Sequence, residues 1–273
     1  MTGEGTVEQV LAGERRWCVL HEECQNRLFT LAEQGHRVDH VITDPPYESE
    51  AHNSGRRCRG RVLPGGKREL VKAEIDFEPI DADTRRVVGE GIAAIARRLS
   101  LIFCQIEGAM AWREAVEASG VANYRRTCIW VKPDGQPQLS GDRPGMGYES
   151  IVTSHRKGRS SWNGGGKLGV FSFNKADTHV STARGEKNPH PTMKPLPLML
   201  ELLSLFTDPG DVVLDPFGGS GTTGVAALRL GRRVILIERE SQYAKLCRER
   251  LIAESRDQTY AQLRSGQEPL PWA

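Results

Sequence analysis

The chain has 273 residues and a formal net charge of +2. That length is enough for one sizeable core with room for a smaller lobe. It shows no apolar run near the roughly 20 residues a membrane span needs, and Met1 to Glu14 is polar and acidic, unlike a signal peptide; a soluble, cytoplasmic protein is expected. The six cysteines, at 18, 24, 58, 104, 128 and 247, include no Cys-x-x-Cys pair, which argues against a zinc site and against a disulfide framework.

In chain order, Trp17 to Leu20 is a short apolar run. It is followed by His21-Glu22-Glu23-Cys24 and then an amphipathic segment with Leu28, Leu31 and Ala32 on one face. A second apolar run, Val38 to Thr43, completes a strand-helix-strand unit. Parallel strands of this kind bind ligands beyond their carboxyl ends, so Glu22 or Glu23 and the residues after Thr43 should face one crevice. Those residues are Asp44-Pro45-Pro46-Tyr47. The prolines fix φ and lack an N–H, giving a stiff turn whose carbonyls are free to accept hydrogen bonds. A rigid structural turn would have the same composition. As a binding floor, it suits a planar amino group: one N–H to the Asp44 carboxylate, the other to the Pro45 carbonyl, and Tyr47 stacked on the ring.

Residues 48–80 begin with a glycine-rich basic stretch without periodicity, read as a mobile surface loop. Arg85 to Ser100 carries Val88, Ile92, Ile95, Ala96 and Leu99 at helical spacing, and Leu101 to Cys104 reads as a buried strand. Met110 to Ser119 predicts a helix, Arg126 to Val131 a strand and Glu149 to Ser154 another. Within 134–188, Arg156, Lys157, Arg159, Lys167 and Lys175 are interleaved with Trp162, Phe171 and Phe173. That is the pattern of cations on phosphates beside aromatics that meet bases, although an ordinary surface insertion could carry it too.

The third block starts at His190-Pro191-Thr192-Met193-Lys194-Pro195, ahead of a helix over Leu196 to Phe206 whose amino end, with a lysine just outside, is an expected anion site. Next come a strand at Val212 to Leu214, the turn Asp215-Pro216-Phe217-Gly218-Gly219-Ser220-Gly221-Thr222-Thr223, a helix to Leu230, a strand over Val234 to Ile237 ending in Glu238, and a last helix marked by Tyr243, Leu246, Cys247 and Leu251. A glycine turn between strand and helix, with an acid after the next strand, is a nucleoside site, and Glu238 could accept both ribose hydroxyls. Gly219-x-Gly221-x-x-Gly224 also fits the dinucleotide fingerprint. An acid at Asp215, however, repels a pyrophosphate and suits the ammonium of a methionine-derived cofactor. The alternation of helices and strands predicts an α/β architecture.

Taken together, Asp44 to Tyr47, His190 to Pro195 and Leu214 to Thr223 resemble the motifs of S-adenosylmethionine-dependent DNA methyltransferases that act on adenine N6 or cytosine N4. Their order, catalytic tetrapeptide first and cofactor loop last, is that of the circularly permuted beta class. The resemblance implies a Rossmann-like methyltransferase fold, a mostly parallel twisted sheet with helices on both faces, as a single catalytic domain over 15–273. The basic loop at 48–80 and the insertion at 134–188, read from its composition as a target-recognition segment, are the parts that the resemblance covers least. Asp44, Pro45, Pro46 and Tyr47 would be catalytic. Glu23, Cys24, Thr192, Lys194, Asp215, Phe217, Gly219, Ser220, Gly221, Thr222 and Glu238 would hold S-adenosylmethionine, with Glu23 beside the adenine. Many relatives have Gly-Asp-Cys where this chain has Glu22-Glu23-Cys24. The expected reaction is methylation of adenine N6 in double-stranded DNA after base flipping, by a possible homodimer. Cytosine N4 methylation is the nearest alternative, since relatives acting on cytosine usually carry Ser in place of Asp44. RNA or protein-amide methylation, a nicotinamide oxidoreductase and a non-catalytic DNA-binding protein are the others.

Overall fold

A computed structural model describes residues 3–47, 58–62, 68–72, 79–135, 144–159, 162–177 and 193–266, the two segments 58–62 and 68–72 by their backbone. Helix α1 (Val7–Ala12) is closed by a capping box between Thr6 and Gln9. It leads into β1 (Trp17–Leu20), α2 (Cys24–Glu33) and β2 (His40–Thr43). Strands β3 (Cys58–Val62) and β4 (Arg68–Lys72) form an antiparallel hairpin. This corrects the expectation of an irregular loop: the pairing of two short basic strands leaves no apolar period to read.

Helix α3 (Ala82–Ile95) starts at Asp81, whose carboxylate caps Thr84 N at 2.7 Å. It is shorter than its apolar spacing suggests. Ala96 turns extended and bridges Val38, and Leu99 belongs to β5 (Leu99–Cys104) rather than to the helix. After a 3₁₀ turn, α4 (Ala109–Ala118) precedes the long β6 (Ala122–Val131), β7 (Tyr148–Arg156) and the short β8 (Val170–Ser172). Helix α5 (Leu196–Phe206), β9 (Val212–Asp215), α6 (Thr222–Arg229), β10 (Arg233–Ile237), α7 (Ser241–Ser255) and α8 (Tyr260–Ser265) follow.

Eight strands form one sheet in the order β1-β10-β9-β2-β5-β7-β6-β8. Only β7 runs against the others, pairing antiparallel with both β5 and β6. Side chains alternate along the strands and divide the core in two. Trp17, Ile42, Leu101, Phe103, Val213 and Leu236 pack under α5, α6 and α7. Cys18, Val41, Ile102, Leu214 and Ile235 pack under α1 to α4. Helices therefore cover both faces, and no helix among the described residues is long and apolar enough to cross a membrane.

Two positions show why glycine is needed. At Gly89 a Cβ would stand 2.6 Å from the Cβ of Ala115 and 2.8 Å from its backbone carbonyl carbon, so α3 meets α4 almost backbone to backbone. At Gly221 the chain is left-handed, φ +77°, as it enters α6. The Gly89→Ala variant should lose about 1–2 kcal/mol in urea denaturation: overpacking against a helix backbone, about 1–3 kcal/mol, outweighs the gain in helix propensity of about 1 kcal/mol. A net gain would mean that the two helices can separate freely.

Candidate active site

The parallel strands end along one edge, and this edge gathers the chemistry. Strand β2 lies between β9 and β5, with Val41 opposite Leu214 and Ser100. Asp44, just past β2, and Asp215, the last residue of β9, therefore stand on neighbouring strand ends. Thr43 Oγ1 ties them by donating to Asp215 Oδ1 at 2.7 Å. On the other side of β9, Glu238 follows β10, and the exposed Glu22 and Glu23 follow β1. The two segments that the reading above needs in one crevice are adjacent.

Asp215 is 3% exposed. Besides Thr43, its carboxylate accepts from Thr223 Oγ1 at 2.7 Å and from Phe217 N at 3.1 Å. These three bonds fix the glycine turn to β2. Burial pushes its pKa up to about 7, against the opposing pull of those donors. Two of these donors fill Oδ1, while Oδ2 accepts one and keeps a second lone pair, as the expected contact with a cofactor ammonium would need. Glu238 is likewise 8% exposed and receives Gly219 N and Glu240 N, each at 2.7 Å. Each of its oxygens has a second lone pair left for a ribose hydroxyl.

The turn itself is clamped from behind by the last long helix, which the sequence reading placed, through Arg250, which it did not single out. Arg250, 3% exposed on α7, donates to Ser220 O and to Thr222 Oγ1, the latter at 3.1 Å. Cys247 Sγ donates to Gly219 O at 3.3 Å. Helix α6 starts at Gly221 without a side-chain cap, so its first N–H groups are available to a carboxylate. The turn from Asp215 to Thr223 carries no basic residue. A cofactor with a ribose and a carboxylate but no phosphate fits this donor and acceptor set. Phe217 is half-buried at the turn, Cys24 is buried at the start of α2, and the exposed Glu23 precedes that helix with no capping hydrogen bond from its side chain. Thr192 lies outside the described residues.

The tetrapeptide has a partner that sequence reasoning placed elsewhere. Lys194, expected to meet an anion of the cofactor, instead donates to Asp44 Oδ2 at 2.5 Å and to the Tyr47 hydroxyl at 3.2 Å. Its ammonium also lies 3.2 Å from Glu149 Oε2, and the other oxygen of Glu149 accepts from Lys132. The rings of Phe103, Tyr47 and Trp130 surround this ammonium at 5.0, 5.4 and 5.8 Å. The result is a chain of alternating charge, Lys132, Glu149, Lys194, Asp44. The two lysines hold the Glu149 carboxyl down at about 2 despite burial. The Asp44 carboxyl is raised by burial, with Lys194 opposing. Asp44 Oδ1 is buried and has no hydrogen-bond partner among the described residues.

The aromatics of the insertion are placed differently from expectation. Phe171 is 1% exposed within the core, Trp162 packs 5.3 Å from Phe206, and the Phe173 carbonyl accepts from Trp130 Nε1. Phe171 is thus closed to any base. Lys157, Arg159 and Lys167 are exposed, Lys167 paired with Glu201.

A sheet of this order, with a glycine turn and acids at its carboxyl edge, defines a Rossmann-like methyltransferase fold. Residues 38–249 match the N6/N4 family of DNA methylases, and the chain belongs to that family. It is 26% identical over 255 residues to the type II methyltransferase M.HinfI of Haemophilus influenzae, a match covering 85% of this chain and 67% of that protein. Over 66 residues it is 54% identical to the type II methyltransferase M2.DpnII of Streptococcus pneumoniae, spanning 24% of this chain and only 25% of that one. Among solved structures, M1.HpyAVI in complex with SAM superposes with a TM-score of 0.63 at 23% identity, over 86% of this chain and 98% of its own. The cytosine-N4-specific PvuII DNA methyltransferase gives 0.59 at 13% identity, over 93% and 95%.

Replacing Asp215 by Asn keeps the donor and acceptor pattern of the protonated acid. The folded wild type holds an extra proton between about pH 4 and 7, so it loses stability as pH rises through that window. The unfolding free energy of Asp215→Asn in urea, relative to wild type, should therefore rise between pH 5 and pH 8, on the order of a few kcal/mol. A pH-independent offset would contradict a raised Asp215.

Proposed function

We propose that this protein transfers a methyl group from S-adenosylmethionine to adenine N6 in double-stranded DNA. The observation that carries the reading is Asp44 Oδ1, a buried acceptor at the end of β2, next to the glycine turn, with no hydrogen-bond partner among the described residues. An unpaired buried acceptor costs about 1–3 kcal/mol, and an N–H of the target amino group would relieve it. The cofactor would lie between the glycine turn, Glu238 and the start of α2. There Gly219, Ser220, Gly221, Thr222 and Phe217 would line it, and Glu23 and Cys24 would stand by its adenine. When bound, S-adenosylmethionine supplies an electrophilic methyl on a sulfonium.

The chain's own groups do the rest. The amino lone pair of adenine is delocalised into its ring. Accepting its protons at Asp44 and the Pro45 carbonyl turns the nitrogen towards tetrahedral geometry and stabilises the positive charge that grows on it. Holding the nitrogen in line with the methyl removes much of the orientational barrier. The stiff Pro45-Pro46 turn keeps the carbonyl in place, and Tyr47 offers its ring face to an extruded base. The carboxylate supports adenine over cytosine, because relatives acting on cytosine usually carry Ser here. The cytosine N4 reaction is the second reading, favoured by the likeness of the fold to PvuII methyltransferase.

Asp44→Ala should lower methyl transfer at least about a hundredfold while S-adenosylmethionine binds as in wild type. Tritiated methyl transfer and calorimetry measure the two. Nucleoside mass spectrometry of DNA from a methylation-free host expressing the protein should show N6-methyladenine; N4-methylcytosine would establish the second reading. A homodimer belongs to the same proposal. Leu168 and Val170, 76% and 54% exposed at the edge strand β8, offer it apolar surface. Light scattering on the purified protein should give twice the mass of 30.2 kDa.

A further inference from the structure

We infer that Lys194, held by Glu149 and Lys132, is the positioning residue of Asp44: it occupies Oδ2 and leaves Oδ1 as the acceptor for the target amino group. The inference rests on the methyl-transfer reading and adds to it a residue with its own role.

The geometry carries it in three steps. Lys194 Nζ is 2.5 Å from Asp44 Oδ2, and the same carboxylate's Oδ1 is buried and open. A carboxylate gripped at one oxygen presents the other in a fixed direction. Next, the Lys194 side chain is only 10% exposed, so its charge would not persist without carboxylates. Asp44 supplies one and Glu149 the second, at 3.2 Å. Glu149, 7% exposed, is itself balanced by Lys132, 9% exposed, whose ammonium lies 4.7 Å from the Trp130 ring. The four charges sum to zero and alternate in sign. Finally, the cluster is built from both sides of the crevice. Lys132 follows β6, Glu149 opens β7, and Lys194 precedes α5, while Asp44 belongs to the β2 end. The ammonium is thereby fixed from three directions, by the two carboxylates and the rings of Tyr47, Phe103 and Trp130.

The chemical consequence is protonation state. Oδ1 would accept one amino N–H and the Pro45 carbonyl the other; a protonated Asp44 would lose the negative charge that stabilises the positive charge growing on the nitrogen. Facing Asp44 are Lys194 and Lys132, which favour its charge, and Glu149, which opposes it. Tyr47 and Asp215 stand nearby, and each feels the Asp44 charge. Burial raises the Asp44 pKa and so favours its protonated form. Lys194 offsets that most directly, because it is the only cation in contact among the described residues.

The test reads Asp44 itself as well as turnover. In protein carrying ¹³C-labelled aspartate carboxyls, assigned with Asp44→Asn, the Asp44 midpoint should rise by about 1–3 pH units in Lys194→Gln. Lys194→Arg should restore it. Glu149→Gln should move it the opposite way, since an opposing negative charge is removed. The acid limb of kcat against pH should follow each shift, and KM for DNA should change less than kcat. Melting temperature and S-adenosylmethionine binding show that each variant is folded. An unmoved midpoint in Lys194→Gln would overturn the inference. So would a kcat reduced equally at every pH, or a KM that falls, which would make the ammonium a plug in the base pocket. A wild-type protein without methyl transfer would instead defeat the reading of function, with the titration still reporting the pair.

Discussion

The site depends on the way two carboxylates share one end of a parallel sheet. Asp44 and Asp215 stand on adjacent strand ends, and each raises the cost of charging the other. The structure resolves the conflict by giving them different partners. Asp215 receives two hydroxyls and an N–H, neutral donors that tie β2 to the glycine turn through Thr43 and Thr223. Asp44 receives a full cation. Environments that push two acids apart in this way assign them different tasks. Asp215 is a structural bridge whose pKa burial raises to about 7, and Asp44 ends a buried ion chain with Oδ1 at its tip.

That division explains what the sequence makes legible. Apolar runs of four to six residues flanked by acids or glycines locate β1, β5, β9 and β10 within a residue or two, because their burial on both faces leaves continuous hydrophobic stretches. The glycine turn is legible since Gly221 needs φ +77°. Other features leave no local mark. Leu99 fits helical spacing, yet a parallel bridge from Val38 to Ala96 ends the helix first. Phe171 and Trp162, set among cations, resemble base-stacking aromatics; Phe171 proves to be core, since β8 extends the sheet beyond β6, and Trp162 packs half-buried against that core.

The ion chain is hidden for a further reason. Lys132 and Glu149 lie at the ends of two strands joined by a segment of proline and glycine, and on sequence alone a charge at a strand end is solvated. Only the antiparallel register, Trp130 opposite Glu149 and Val131 opposite Tyr148, brings them under the same roof. Lys194 sits in a motif that could be read but whose role could not, because spacing does not tell whether a lysine before a helix turns to an incoming anion or to a carboxylate already in the protein. Arg250 is similar: a cation in an amphipathic helix, buried by the turn it clamps.

Why a cation should sit beside an acid that must stabilise a developing positive charge is a question of distance and protonation. Lys194 opposes the charge growing on the amino nitrogen, but it acts from the far oxygen of Asp44, whereas Oδ1 would be in direct contact. Coulombic energy falls with separation, so the nearer negative oxygen dominates. Were the cation absent, desolvation would raise the Asp44 pKa unopposed by direct contact and weaken the hold on the negative oxygen. Glu149 reduces the remaining opposition by drawing the ammonium towards itself, and Lys132 keeps Glu149 ionised. A buried, electrically neutral chain of four side chains thus delivers one directed negative oxygen to the point where an amino group would arrive.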